Sequence, residues 1–315
     1  MANKTVVIDE DGRCVSACDQ SVCPLGRSYT VQRCTKEELE EAGLKTLLES
    51  DVIRAEKACE FSWKIPWVWN PKVKGSGIIE CIPQTGECPN KCEDCFFQSG
   101  RSYLAPLGEH LPHIPTAEMA QGRIVRVNDG NDSNVDRPLV EAVAIKFEDF
   151  FFNTAIPERL GDFPGPVVLT VNPGTMTDRD FHKIPQAPPN MMFARVRTNM
   201  WNLYTVVKPA VQHYAVDLGV PVVLTFMAYY ASKVHEGSEN DYEWRTRTIN
   251  PYWVIKRERV DSIERVFSDK DNVYLCGRHG SSKCSACGNC LREYYNAKER
   301  MREAKESSQR KGDAS

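Results

Sequence analysis

Between Cys95 and Cys276 the sequence contains no cysteine, although it carries 13 of them in 315 residues. A secreted chain stapled by disulfides does not leave its largest block without a cross-link, so the thiols read as metal ligands or catalytic groups in a reducing compartment. Long hydrophobic runs are also missing. The longest, such as 221–230, is too short to span a bilayer, and the start MANKTVVIDEDGR lacks the apolar core of a signal peptide. These absences predict a cytoplasmic protein that makes no use of a membrane. Charge of one sign is scarce: 40 Lys and Arg stand against 43 Asp and Glu, for a net charge of -3 and a pI near 6.1. A protein that coats nucleic acid by bulk charge is thereby excluded, and a local basic groove is not. There is no internal repeat, and low complexity is confined to the end of a charged, helix-forming stretch, 293–315, which is expected to be solvated.

With 41% hydrophobic residues the chain can bury a full-sized core, as one large domain with appendages. From residue 77 onward, short apolar runs rich in β-branched residues alternate with segments of helical period. Strands are expected over 77–82, 123–128, 166–172, 192–198, 220–229 and 272–276. Helices are expected over 116–121, 136–153, 178–183 and 203–218, with a long one inside 252–267. Thr116 with Glu118, and Asp136 before Arg137-Pro138, have the character of helix starts. Strands buried on both faces and separated by helices imply an α/β fold with a parallel sheet. Six such units predict a partial, open (β/α)6 barrel, in which loops after the C-terminal strand ends carry the chemistry. The domains expected are an N-terminal extension over 1–75, the barrel over 76–275, and a cysteine-rich, cluster-binding segment with a helical tail over 276–315.

The cysteines fall into groups. After the first expected strand comes Cys88-Pro-Asn-Lys-Cys92-Glu-Asp-Cys95, a C-x3-C-x2-C spacing in a loop. Three thiolates so placed can hold three irons of a [4Fe–4S] cube and leave the fourth iron open to a small molecule. A structural zinc site completed by Cys81 or a histidine is the alternative that the spacing leaves open. Near the end, Cys276, Cys284, Cys287 and Cys290 supply four thiolates, three of them at successive three-residue steps. That pattern fits a second iron–sulfur cluster better than the paired knuckles of a zinc site, and His279 lies in the same loop. Cys14, Cys18, Cys23 and Cys34 match no defined pattern and are either a third metal site or reduced thiols.

The motif on Cys88, Cys92 and Cys95, in the loop after strand one, resembles that of the radical S-adenosylmethionine (SAM) superfamily. The resemblance covers roughly 77 to 276. One departure is Asp94, where the family usually has an aromatic residue before the third cysteine. The resemblance implies a radical SAM enzyme whose cluster cleaves SAM reductively to a 5′-deoxyadenosyl radical that abstracts hydrogen from a substrate. It implies SAM and the open-site cluster as cofactors, an electron donor such as flavodoxin or ferredoxin, and an auxiliary cluster at the C-terminal cysteines. The substrate, whether small molecule, peptide or RNA, stays open.

In that family the end of strand two often binds the SAM amino group through a Gly-Gly-Glu type sequence. This chain has instead a polar run in which Asn128, Asp129 and Asp132 could accept the ammonium, with Gly130 allowing close approach; an ordinary Asn/Asp/Gly turn is the alternative. Arg195 and Arg197 alternate along strand four and so share a face. They suit the SAM carboxylate or an anionic substrate, or else bridge to acids on a neighbouring helix. Thr198, Asn199 and Asn202 follow at the expected mouth, and Tyr229 or Tyr230 offers a ring for stacking. Two competing classes are a non-enzymatic iron–sulfur electron carrier and a zinc-binding nucleic-acid module. Neither calls for so large a cysteine-free α/β block.

Overall fold

A computed structural model describes residues 5–8, 10, 14–16, 36, 45–86, 88–92, 95, 97, 103–104, 106–176, 178–181, 183–230, 234–246, 251–277 and 283–312. Cys18, Cys23, Cys34, Arg247 and His279 lie outside these residues. In the N-terminal part, β1 (Thr5–Ile8) pairs antiparallel with β2 (Cys14–Ser16) and parallel with β3 (Lys45–Leu48). Helix α1 (Glu49–Ser62) follows at once.

Among the described residues the main sheet has seven strands, all parallel: β4 (Ile78–Cys81), β5 (Ile124–Val127), β6 (Phe150–Thr154), β7 (Val167–Val171), β8 (Met191–Thr198), β9 (Val222–Phe226) and β13 (Val273–Leu275). They lie side by side in chain order, and β4 and β13 stand at opposite edges without pairing to each other. The fold is therefore α/β with an open parallel sheet and not a closed barrel. Strands β4, β5 and β7 are buried along their whole length, as expected where both faces of a parallel sheet are covered.

Three expectations need correction. The helix expected over 136–153 is α2 (Arg137–Ala144) followed by β6, so the sheet has seven strands rather than six. Phe150-Phe151-Phe152 is a short apolar run whose period cannot separate strand from buried helix, and pairing between β5 and β7 decides it. The segment 252–267 opens as a strand, β12 (Tyr252–Ile255), before helix α3 (Arg257–Val266). Strand 220–229 likewise divides, its last part becoming β10 (Ala228–Tyr230). With β11 (Tyr242–Arg245), β10 and β12 make a separate antiparallel sheet. Helix 203–217 forms as expected, with π turns on either side of a central α turn.

Period-two alternation sorts the side chains of the sheet. Ile79, Val125, Val127, Phe152, Leu169, Val196 and Leu224 point to one face, where they pack with Leu139 and Val143 of α2, Val207 and Tyr214 of the 203–217 helix and Ile263 of α3. Ile124, Phe151, Val168, Phe193 and Val223 point to the other face. Covering that second face are Tyr294 and Ala297 of α4 (Asn289–Gly312), a 24-residue helix in the stretch expected to be solvated. The Tyr294 hydroxyl donates to Asp149 Oδ1 at 2.6 Å, and Arg300 Nη2 to the Met191 carbonyl at 2.6 Å. Among the described residues no helix is long and apolar enough to cross a membrane.

Phe193 is fully buried beneath α4. Phe193→Ala is expected to cost about 3–5 kcal/mol in urea unfolding. A cost below about 1 kcal/mol would mean that the helix does not seal this face.

Candidate functional site

The face that α4 covers turns polar toward the C-terminal ends of the strands. The same alternation that places Ile124, Phe151, Val168, Phe193 and Val223 there also places Arg126, Asn153, Thr170, Arg195, Arg197 and Thr225, with Glu80 on the edge strand. Register sets Glu80 opposite Arg126, Thr170 opposite Arg195, and Arg197 opposite Thr225. Many of these groups are buried with polar atoms that have no protein partner: Glu80 Oε2, Arg126 Nε, Asn128 Oδ1, Asn153 Oδ1, Asn172 Oδ1, Asn199 Nδ2 and Thr225 Oγ1. At least one lies on, or just past, each strand from β4 to β9. A buried polar group left unpaired costs on the order of 1–3 kcal/mol, so an unpaired row along one sheet face marks a place for a polar ligand.

The thiol loop lies at this end. Its first cysteine, Cys88, is buried, and Cys92 and Cys95 are half-buried. The Lys91 amide donates to the Cys88 carbonyl (3.4 Å) and the Cys95 amide to the Cys92 carbonyl (3.0 Å), so the loop winds in tight turns. Burial pushes the Cys88 thiol up to about 11, with Asp132, Cys92 and Cys95 adding to the shift. Cys92 is raised by burial too, while the Arg197 guanidinium pulls the other way. Asn172, just past β7, donates from Nδ2 to Cys92 Sγ at 3.3 Å.

Asp132 ties this loop to the sheet. Its carboxylate accepts from Thr154 Oγ1 (2.6 Å), the amides of Ala155 (2.6 Å) and Asn134 (2.9 Å), and Asn90 Nδ2 (2.8 Å) inside the cysteine motif. Gln84 Nε2 donates to the carbonyls of Asp132 (2.9 Å) and Val135 (2.7 Å). Gly130 lets Phe97 close down on the same turn, because a Cβ there would stand 2.2 Å from the ring.

The remaining candidates have defined places. Asn128 adopts φ 61°, its amide donates to the Cys81 carbonyl at 2.7 Å, and its Nδ2 donates to Ser133 Oγ at 3.1 Å. Asp129 ion-pairs with Arg126 (2.5 Å) and accepts from Asn70 Nδ2 (2.6 Å). Burial would raise its carboxyl; Arg126, Asn70 and Arg195 outweigh this and hold it below the usual range. Arg197 Nη1 lies 3.7 Å from the Met227 sulfur. Asn199 accepts from the Asn202 amide at 2.8 Å and so helps to start the 203–217 helix. Tyr229 packs against Trp201, ring centroids 4.9 Å apart, and Tyr242, and is buried. Sequence reasoning assigned no role to Glu80, Arg126, Asn153, Asn172 or Thr225. The signal was available for the first two: each is a lone charge inside a four-residue strand, Ile-Ile-Glu-Cys and Ile-Val-Arg-Val.

At the far edge, Cys276 follows β13, and Cys284 and Cys287 bracket a single helical turn (Cys284–Cys287). Cys290 opens α4. The Cys276 amide donates to the Leu224 carbonyl at 2.8 Å, and Asn289 Nδ2 to the Leu275 carbonyl at 2.9 Å, which hold this group on the sheet. The thiols of Cys276 and Cys287 share a hydrogen bond. It favours the thiolate of Cys287, which the amides of Gly277 and Asn289 also approach.

Among the described residues, no three His, Cys, Asp or Glu side chains converge as ligands of one metal ion. A cubane cluster makes a different demand, since each thiolate binds its own iron. The loop's donor set fits such a cluster. Three thiols act on one another electrostatically, an amide N–H is directed at one sulfur, and a guanidinium faces the same sulfur.

No known family model matches the chain, and no curated protein matches it. Solved structures similar to it include one of a spore photoproduct lyase mutant. That chain is 12% identical, with 76% of this chain and 92% of that one covered at a TM-score of 0.42. Another mutant of the same enzyme, with bound AdoMet and dinucleoside spore photoproduct, is 10% identical over the same shares at a TM-score of 0.37. Likeness this slight establishes neither a common fold nor a common activity.

Glu80 supplies a test of the polar face. Burial, together with the nearby Asp129, pushes its carboxyl up to about 7. Its neutral form is the one the fold favours. Its contribution to stability is therefore fully present below the value of a free Glu, near pH 4.5, and is lost as pH rises from there through about 7. Glu80→Gln, neutral at every pH, is expected to lose that dependence and to gain up to roughly 3 kcal/mol on the parent at pH 8 relative to pH 4. Parallel urea-denaturation profiles across pH for the two proteins would show that Glu80 is not held neutral.

Proposed function

We propose that this chain is a radical SAM enzyme, with an open-site [4Fe–4S] cluster on Cys88, Cys92 and Cys95. One observation carries the reading: the thiol loop lies at the C-terminal ends of consecutive parallel strands, beside a row of buried polar atoms that have no protein partner. An electron carrier or a zinc module needs no such row. The parallel sheet is read as the wall of a partial barrel with the polar face inside.

Held by Cys88, Cys92 and Cys95, the cluster would supply one electron, taken from a donor such as flavodoxin or ferredoxin, for the reductive cleavage of SAM to methionine and a hydrogen-abstracting 5′-deoxyadenosyl radical. The chain's own residues supply position and charge. Asn172 fixes Cys92 through its N–H···S hydrogen bond. Arg197, facing Cys92, is placed to pair with the SAM carboxylate as a guanidinium fork. The ammonium is assigned to Asn128 Oδ1 and Asn153 Oδ1, acceptors without a partner at the ends of β5 and β6. Asp129 and Asp132 become supports of that site, because their oxygens are already occupied by Arg126 and Asn70 and by the four donors around Asp132. Asn199 keeps its Nδ2 amide group free for a ligand acceptor. Burial of the row keeps water from competing for these hydrogen bonds.

Anaerobic reconstitution with iron and sulfide, followed by electron paramagnetic resonance of the dithionite-reduced protein, tests the reading. The expected outcome is a [4Fe–4S] signal that SAM perturbs, with 5′-deoxyadenosine formed. Both the perturbation and the product should vanish in a Cys88→Ala, Cys92→Ala, Cys95→Ala triple variant. A cluster indifferent to SAM, or tight zinc binding in its place, would refute the assignment.

A further inference from the structure

We propose that Arg126 and Arg195 form the charge-compensating wall of a second iron–sulfur site on Cys276, Cys284, Cys287 and Cys290, built against the polar face of the sheet. The inference adds a residue role to the C-terminal cysteines and rests on reading them as a metal site. It does not depend on SAM binding at the central loop.

The placement follows from the strands. Arg126 and Arg195 project from β5 and β8 onto the face that α4 covers, and the first turn of α4 carries Cys290 onto the same face beside Ile124, Phe193 and Tyr294. Helix α4 runs back along the strands: Tyr294 meets Asp149 just before β6 and Arg300 meets the Met191 carbonyl at the start of β8, so Cys290 lies toward the C-terminal strand ends, where Arg126 and Arg195 stand. The Cys284 amide donates to the Lys72 carbonyl at 2.8 Å, two residues from Asn70, which holds Asp129, the partner of Arg126. The Cys276 amide donates to the carbonyl of Leu224, the neighbour of the Val223 that pairs with Arg195. The loop of thiols thus arrives from both sides at the two charges.

A structural reason alone does not account for the pair. Asp129 neutralises Arg126 through one short ion pair, and Glu80, the other acid beside it, is pushed up to about 7, so the three guanidinium groups of this face, Arg126, Arg195 and Arg197, outnumber the two acids. Buried cations are costly unless an anion meets them. A four-thiolate iron–sulfur cluster carries net negative charge, and gains more on reduction. Two fixed cations beside it favour the reduced form and raise its potential. Because each thiolate binds a separate iron, four cysteines arranged around a volume suffice, without convergence on one point.

The experiment uses the full-length Cys88→Ala, Cys92→Ala, Cys95→Ala variant, so that any remaining cluster belongs to the C-terminal group. This background is reconstituted anaerobically with Arg195, Arg195→Gln or Arg195→Lys. Iron and sulfide are measured, followed by a potentiometric titration monitored by electron paramagnetic resonance. The expectation is a cluster in the background protein whose potential falls in Arg195→Gln by at least a tenfold change in the reduction equilibrium, about 59 mV for one electron. Arg195→Lys is expected to keep it near the parent value. Loss of the cluster from Arg195→Gln with retention in Arg195→Lys supports the proposal equally. Equal potentials in the Gln and parent proteins overturn it, as does loss from the Gln and Lys variants alike. A background protein that takes up no iron also overturns it and leaves the reading of the central loop standing.

Discussion

Every strand of a parallel sheet covered on both faces is cut off from water, so each polar side chain on it must find its partner inside the protein. That requirement organises this molecule. One face of the sheet meets it by being largely apolar under α2, α3 and the 203–217 helix, with the hydroxyls of Thr154 and Thr198 at its upper end hydrogen-bonded. The other meets it only in part. Its lower half is sealed by Tyr294 and Ala297, and its upper half holds Glu80, Arg126, Asn128, Asn153, Asn172 and Thr225 with fewer partners than polar atoms. The imbalance sits where loops bearing both cysteine groups arrive. A site of this kind trades stability for a prepared surface, in the same way that strain and unpaired groups gather at functional positions elsewhere.

Two carboxylates that look alike in the sequence do different work here. Asp129 stays ionised because Arg126, Asn70 and Arg195 favour the charge, whereas Asp132 is raised by burial despite four donors. Asp129 anchors the positive side of the face, and Asp132 joins the cysteine loop to the ends of β5 and β6. Position relative to the sheet separates them, a distinction of three residues that composition cannot convey.

Much of the fold was legible because burial writes itself into period. The β-branched runs at Ile78–Cys81, Ile124–Val127, Val167–Val171, Met191–Thr198, Val222–Phe226 and Val273–Leu275 all become strands of one sheet. Phe150–Thr154 escaped notice because it adjoins a helix and three phenylalanines fit either period. The thiol spacing singled out Cys88, Cys92 and Cys95 through chemistry that depends on local sequence alone. Asn172 did not stand out, since its contact with Cys92 bridges 80 residues. Glu80 and Arg126 were readable as lone charges in apolar strands, but their pairing across β4 and β5 is a matter of register, which only the assembled sheet fixes.

The position of α4 has a consequence for the order in which the molecule is made. Synthesis runs from the N-terminus, so strands β4 to β9 leave the ribosome before β13 and α4 exist. During that interval Phe151, Val168 and Phe193 lack their cover, and Arg126 and Arg195 lack the cysteines that later stand against them. The nascent chain thus exposes a greasy, positively charged cleft until α4 arrives. The C-terminal thiol group can therefore assemble only after the strands it stands against have been made.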